Sequence, residues 1–339
     1  MEKKFIDLVI SGCDFSGTTT QIDGLIEHLS TKGKKVRDIR GTEIEALFHS
    51  ERFQRVISRS WGNNYLNFKS FMKEVDECKS VSTMSSRDFL QYANDLLIGN
   101  GHSKDLIIAS MVHNDITEYI EPSSADAWIM EEPTRRGAGQ TVRGFELYRS
   151  QFFSEMNPIA AALAHQAYRS EEFFRFRKIL REKKKIIIRS RSEESACYQI
   201  QDKENLPDGI SREQYLSLPG HEIAFGNPPT HIFLVVGPAN WKIIDYATLK
   251  GQRCGNRILD DHEKNFEYQV MVNHRYATSW IDELYGEACK RYGSKVPEIT
   301  RFDIYEPKEK IIEQMISKLE SIISQSQEKP YISPILEEE

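Results

Sequence analysis

Phe5-Ile6-Asp7-Leu8-Val9-Ile10-Ser11-Gly12-Cys13-Asp14-Phe15-Ser16-Gly17-Thr18-Thr19-Thr20-Gln21 is the stretch on which the fold turns. The apolar run Phe5, Ile6, Leu8, Val9 and Ile10 reads as a buried strand, and Ile22, Leu25, Ile26 and Leu29 recur at the spacing of one helix face. Between them, Gly12-x-x-x-x-Gly17-Thr18-Thr19 has the spacing of a Walker A loop. There, backbone N–H groups and a helix N-terminus converge on a phosphate. Thr19 stands at the hydroxyl position that holds Mg²⁺, but Thr18 stands where the lysine belongs. Read alone, the two glycines also fit a tight strand-to-helix turn, Asp14 a solvated or capping acid, and the threonines a helix cap.

Composition narrows the classes. A net charge of −6 over 339 residues argues against a general nucleic-acid surface. Five cysteines, at 13, 78, 197, 254 and 289, form no CxxC pair and leave an odd thiol, which suits a reducing, cytoplasmic compartment. The opening Met-Glu-Lys-Lys carries no cleavable signal pattern, and no apolar stretch is long enough to span a bilayer.

Further along, Val36–Arg40, Ala127–Met130, Ile186–Ile188, His231–Val236 and Ile299–Ile304 read as strands. Helical spacing covers about 143–181, 241–249, 262–290 and 307–324. Strands alternating with helices predict an α/β fold, a parallel sheet of about five strands flanked by helices. Residues 42–125 are more polar and irregular and read as a mostly helical insertion. The core is then discontinuous, 1–41 and 126–325, with an acidic, mobile tail at 326–339.

The order of motifs resembles the thymidylate kinase family of P-loop nucleoside monophosphate kinases. Gly12-Cys-Asp14-Phe-Ser-Gly17-Thr18-Thr19-Thr20-Gln21 is similar to the family's GxDxxGKTTQ, and Glu132-Pro133-Thr134 with Gly139 and Val142-Arg143 to its EPT loop. Ala167-Tyr168-Arg169, Ile186–Ile188 and Ser195-Ala-Cys-Tyr198-Gln199 follow the family's helix, DRY strand and S..AYQ segment. His231–Val236 through Arg253, Arg257, Asp260, Glu263 and Tyr276 follows its lid.

The resemblance implies a P-loop three-layer fold and transfer of the ATP γ-phosphoryl to a nucleoside monophosphate, dTMP foremost, with Mg²⁺ on Thr19. It also implies a possible homodimer. The amides of Gly12, Cys13, Asp14, Phe15, Ser16, Gly17, Thr18, Thr19 and Thr20 would cradle the donor's phosphates. Asp14, Glu132, Pro133, Arg135, Arg136, His165, Arg169, Tyr198 and Gln199 would line the acceptor side. Two departures weigh against chemistry: Thr18 removes the loop ammonium, and Arg189-Ser190-Arg191-Ser192 replaces the strand-end acid. Electrostatic donors of this kind are worth ~10²–10³ in rate. Arg189, Arg191, Arg253 and Arg257 are the expected catalytic replacements; Arg135 and Arg136 could add charge. The competing expectation is a pseudokinase that binds nucleotide as a sensor or scaffold, with the insertion as its partner surface.

Overall fold

β1 (Ile6–Gly12) is buried along its whole length, as a strand with helices on both faces must be. In this computed structural model the described residues are 4–40, 122–133, 139, 142, 158–200, 210–253 and 265–327. The expected insertion therefore lies, apart from 122–125, outside them.

β1 leads through the turn at 13–17 into α1 (Thr18–Thr31), then β2 (Val36–Asp38) and β3 (Ala127–Glu131). α2 (Pro158–Glu172) continues through a π-helical turn at Phe173–Arg177 into α3 (Lys178–Glu182). β4 (Ile186–Ser190) follows, then the short helices α4 (Ala196–Gln199), α5 (Arg212–Leu216) and α6 (His221–Ala224). Next come β5 (His231–Val236), α7 (Ile243–Arg253), α8 (Phe266–Ala277), α9 (Trp280–Tyr292), β6 (Glu298–Asp303) and α10 (Lys308–Gln327).

The sheet has six strands in the order β2-β3-β4-β1-β5-β6, built from the six stretches that read as strands, against a count of about five. Every pairing between them is parallel. The architecture is α/β, compatible with a P-loop-type three-layer fold. α1 and α10 lie together on one face, close enough that a Cβ at Gly24 would sit 2.6 Å from the Ile312 Cγ2. On the other face, Phe176 and Leu180 pack on Trp128, Met130 and Ile187.

Two elements differ from expectation for visible reasons. The helix expected over 262–290 is broken at Thr278–Ser279, where Arg301 donates to the carbonyls of Tyr276 (2.8 Å) and Thr278 (2.7 Å) and so satisfies the end of α8. β4 runs past the apolar triplet to Ser190, which puts Arg189 inside the strand rather than after it. Among the described residues no helix is long and apolar enough to cross a membrane.

The topology fixes where a ligand would lie. From β1 the chain turns through α1 toward β2, whereas from β5 it turns the opposite way toward β6. Adjacent strands whose connections diverge leave a crevice at their C-terminal ends, and the glycine turn stands there.

Candidate functional site

Gly12 ends β1 where no side chain fits. A Cβ there would meet the Val235 carbonyl oxygen at 2.5 Å and the Ser16 Oγ at 2.7 Å. Gly17 supplies the left-handed residue (φ 81°) that starts α1, and Phe15 takes a similar conformation (φ 64°) despite its side chain. The Phe15 ring packs 5.8 Å from that of Tyr246.

Not every loop amide is available to an anion. The Ser16 N–H is taken by the Cys13 carbonyl (3.1 Å), and that of Asp14 by Gln269 Oε1 (3.3 Å). Within the expected cradle of 12–19 these two amides are therefore spent inside the protein, whereas the first-turn amides of a helix such as those of Thr18, Thr19 and Thr20 lack an intrahelical acceptor. Thr18 is half-buried, and Thr19 and Thr20 are exposed. Cys13 is buried, and burial pushes its thiol far above its usual range.

Two guanidinium groups reach this turn from separate elements. Arg191, itself left-handed (φ 68°), donates to Asp14 Oδ1 (2.9 Å) and stacks 4.8 Å from the centre of the Tyr198 ring. Gln269 Nε2 holds the other Asp14 oxygen at 2.6 Å, and the Tyr198 hydroxyl donates to the Gly12 carbonyl (3.4 Å). Arg253, the last residue of α7, donates to the carbonyls of Phe15 (3.0 Å) and Ile304 (2.7 Å). It thus bridges the glycine turn and the end of β6.

The remaining expected residues fall elsewhere. Arg189 is 1% exposed and belongs to a buried charge layer between the sheet and α2–α3. It donates to Asp7 Oδ1 (2.9 Å), Glu132 Oε1 (3.1 Å) and Ser192 Oγ (2.6 Å). Burial works against its charge, but Asp7, Glu193 and Glu132 outweigh it and hold the group firmly protonated. Arg189 is therefore committed to carboxylates inside the protein and does not reach the glycine turn. Arg177 and Arg181 reach Asp7 from the helix side at 3.4 and 3.2 Å. Burial raises the Asp7 pKa, yet these three cations prevail and hold it at about 2.

Arg169, expected on the acceptor side, is equally enclosed. It donates to Glu132 Oε2 (2.9 Å), the Ser192 carbonyl (2.9 Å) and the Tyr215 hydroxyl (3.4 Å), and Glu132 also accepts from Tyr168 (2.9 Å). His165 is buried 5.6 Å from the Tyr168 ring. Pro133 is half-buried, and Gln199 leaves its Oε1 buried without a partner. Arg135, Arg136 and Arg257 lie outside the described residues.

Sequence reasoning missed Asp7, Gln269 and Glu194. Asp7 had a signal: a lone acid in a strand buried on both faces requires a cation. Gln269 and Glu194 had none, because only tertiary packing brings them to the turn. The chain matches no family model, and no curated protein matches it.

Proposed function

We propose that the chain binds the phosphate chain of a nucleoside triphosphate in the turn Gly12–Thr19. From there it transfers a phosphoryl group to a nucleoside monophosphate, in the manner of thymidylate kinases and with dTMP the foremost acceptor. One observation carries the reading: Arg191 and Arg253, from different elements, are anchored on the side chain of Asp14 and the carbonyl of Phe15. They stand beside first-turn amides that have no lysine to help them. Arg191 is half-buried and holds a half-buried partner, so releasing it from Asp14 costs roughly 0–1 kcal/mol. A bidentate, charge-assisted bond to phosphate exceeds that. Arg189 has no such freedom, since removing it from its buried carboxylates costs ~3–5 kcal/mol.

The exposed Thr19 hydroxyl fits Mg²⁺, which usually takes one or two protein oxygens and completes its shell with phosphate and water. When bound, the ion would neutralise charge on the phosphates. Arg191 and Arg253 would orient the phosphate chain, and Asp14, freed of Arg191, would stay fixed by Gln269.

A second reading, nucleotide binding without transfer, is favoured by the enclosure of Arg169: the acceptor-side cation is spent on Glu132, Ser192 and Tyr215. Purified protein with ATP, Mg²⁺ and a panel of monophosphates separates the two. Diphosphate formation supports transfer; a nucleotide-dependent thermal shift without turnover supports the sensor. Neither response would refute both readings. Thr18→Lys should raise turnover in a kinase that has merely lost its ammonium, and leave it unchanged where arginines have taken over.

A further inference from the structure

Glu194 lies at the root of the glycine turn and differs from its neighbour Glu193 in the charges that surround it. The left-handed backbone at Arg191 turns the chain out of β4, and the short helical turn Glu193–Ser195 folds both acids inward. Both are fully buried. Glu193 faces guanidinium groups, with Arg177 at 3.7 Å and Arg189 at 4.0 Å. Glu194 makes no ion pair among the described residues. Its Oε1 accepts from the Ser192 amide (2.9 Å) and, more loosely, from the Ser195 hydroxyl (3.5 Å). Its Oε2 is buried with no partner.

A carboxylate with one oxygen unmatched and no cation beside it is costly to keep ionised in the interior. The same group is far less costly to keep if that oxygen carries a proton. The Ser11 hydroxyl, in the residue before Gly12, lies beside this carboxyl and by itself favours the charged form; it is also 3.1 Å from the Tyr276 hydroxyl. The other titratable groups facing Glu194 are Glu132 beyond β3, Glu193, Cys197 on α4, Tyr276 on α8 and Tyr285 on α9. None of them is a cation. Burial first, then the Glu132 charge, outweighs the Ser11 hydroxyl and pushes the Glu194 carboxyl up to about 7.

We propose that Glu194 is a positioning residue of the glycine-turn site that works in its protonated form. The proton sits on the otherwise unmatched Oε2, and a phosphate chain held above Gly12–Thr19 keeps it in place, so anion binding and proton uptake at Glu194 are coupled. The inference rests on the reading that the turn binds phosphate. Its physical content is like-charge avoidance. An ionised Glu194 beneath the turn opposes a polyanion, whereas a neutral one does not, and linkage makes the effect reciprocal.

The test uses the full chain, its Glu194→Gln variant and MgATP as probe. Binding is measured by calorimetry from about pH 6 to about pH 8.5. Because nucleotide phosphates themselves ionise near pH ~6, the quantity compared is the ratio of wild-type to variant affinity, in which the ligand's own titration cancels. The ratio should fall about tenfold across this range, inside the roughly 5–150-fold usual for coupled sites. A ratio flat with pH overturns the coupling while leaving the phosphate reading intact.

Ligand-free stability gives a second readout that binding does not influence. A carboxyl raised from 4.5 to about 7 by folding contributes stability below its unfolded value that is lost as pH rises through about 7. Wild type should show that loss and Glu194→Gln should not. The absence of this difference overturns the protonated assignment itself. A stability difference with no MgATP binding at any pH overturns the phosphate reading, and the coupling with it.

Discussion

Arg189 and Arg191 stand two residues apart, and replacing each by Met should separate a structural cation from a ligand-binding one. Arg189→Met removes the bonds to Asp7, Glu132 and Ser192, all within the buried charge layer. Asp7 keeps Arg181 at 3.2 Å and Arg177 at 3.4 Å, and Glu132 keeps Arg169 at 2.9 Å. Neither carboxylate is wholly stranded, so the loss should lie at the lower end of the ~3–5 kcal/mol seen when a buried pair loses one member. With a slope of a few kcal/mol per molar, the urea midpoint should fall by on the order of 1 M. Arg191→Met breaks a half-buried pair with Asp14 and a stacking contact on Tyr198, together worth ~1 kcal/mol. Its effect should instead appear in MgATP affinity. A lost charge-assisted hydrogen bond of ~1.5–3 kcal/mol corresponds to a ten- to hundredfold weakening. Urea unfolding and calorimetric titration on both variants decide the matter. The reasoning is refuted if Arg189→Met is as stable as wild type yet no longer binds nucleotide, or if Arg191→Met is the less stable of the two.

Gly12→Ala should cost ~1–3 kcal/mol and lower the melting temperature, because the new methyl meets the Val235 carbonyl, which is backbone and cannot swing aside. Acid should unfold the protein partly through Asp7. Its carboxyl is held at about 2 against an ordinary value of 3.8, so its stabilisation, ~2 kcal/mol, is present above the higher value and is lost as pH falls toward 2. Stability measured against pH for Asp7→Asn should lack that acid limb, and an unchanged limb would count against the charge layer.

The fold was legible because its signals are local. Ile6, Leu8, Val9 and Ile10, then the two glycines, then Ile22, Leu25 and Leu29 dictate strand, turn and helix without help from the rest of the chain. The sixth strand was visible too, since Glu298–Asp303 and the short Val36–Asp38 both carry extended character. The site was legible only in part. Phe15 and Arg191 adopt left-handed backbones that nothing in their residue types announces. Gln269 reaches Asp14 only because α8 packs on β5, the strand next to β1, a contact across 255 positions of sequence.

The hardest feature to read was which arginine does what, and one backbone angle decides it. Within β4, alternation directs Arg189 to the sheet face covered by α2–α3, where Asp7 already waits in the neighbouring strand. Had β4 continued, Arg191 would have pointed to that same face and joined the same carboxylates. At φ 68° it leaves the strand instead, while its amide still donates to the Ile10 carbonyl (3.0 Å). Its guanidinium is thereby delivered to Asp14 beside the glycine turn, and the following residues fold inward to bury Glu193 and Glu194. A non-glycine residue held in that conformation costs roughly 1–2 kcal/mol. What the strain secures is a cation beside the glycine turn, where anion binding is proposed, and two buried acids behind it, all arising from a single turn of the chain.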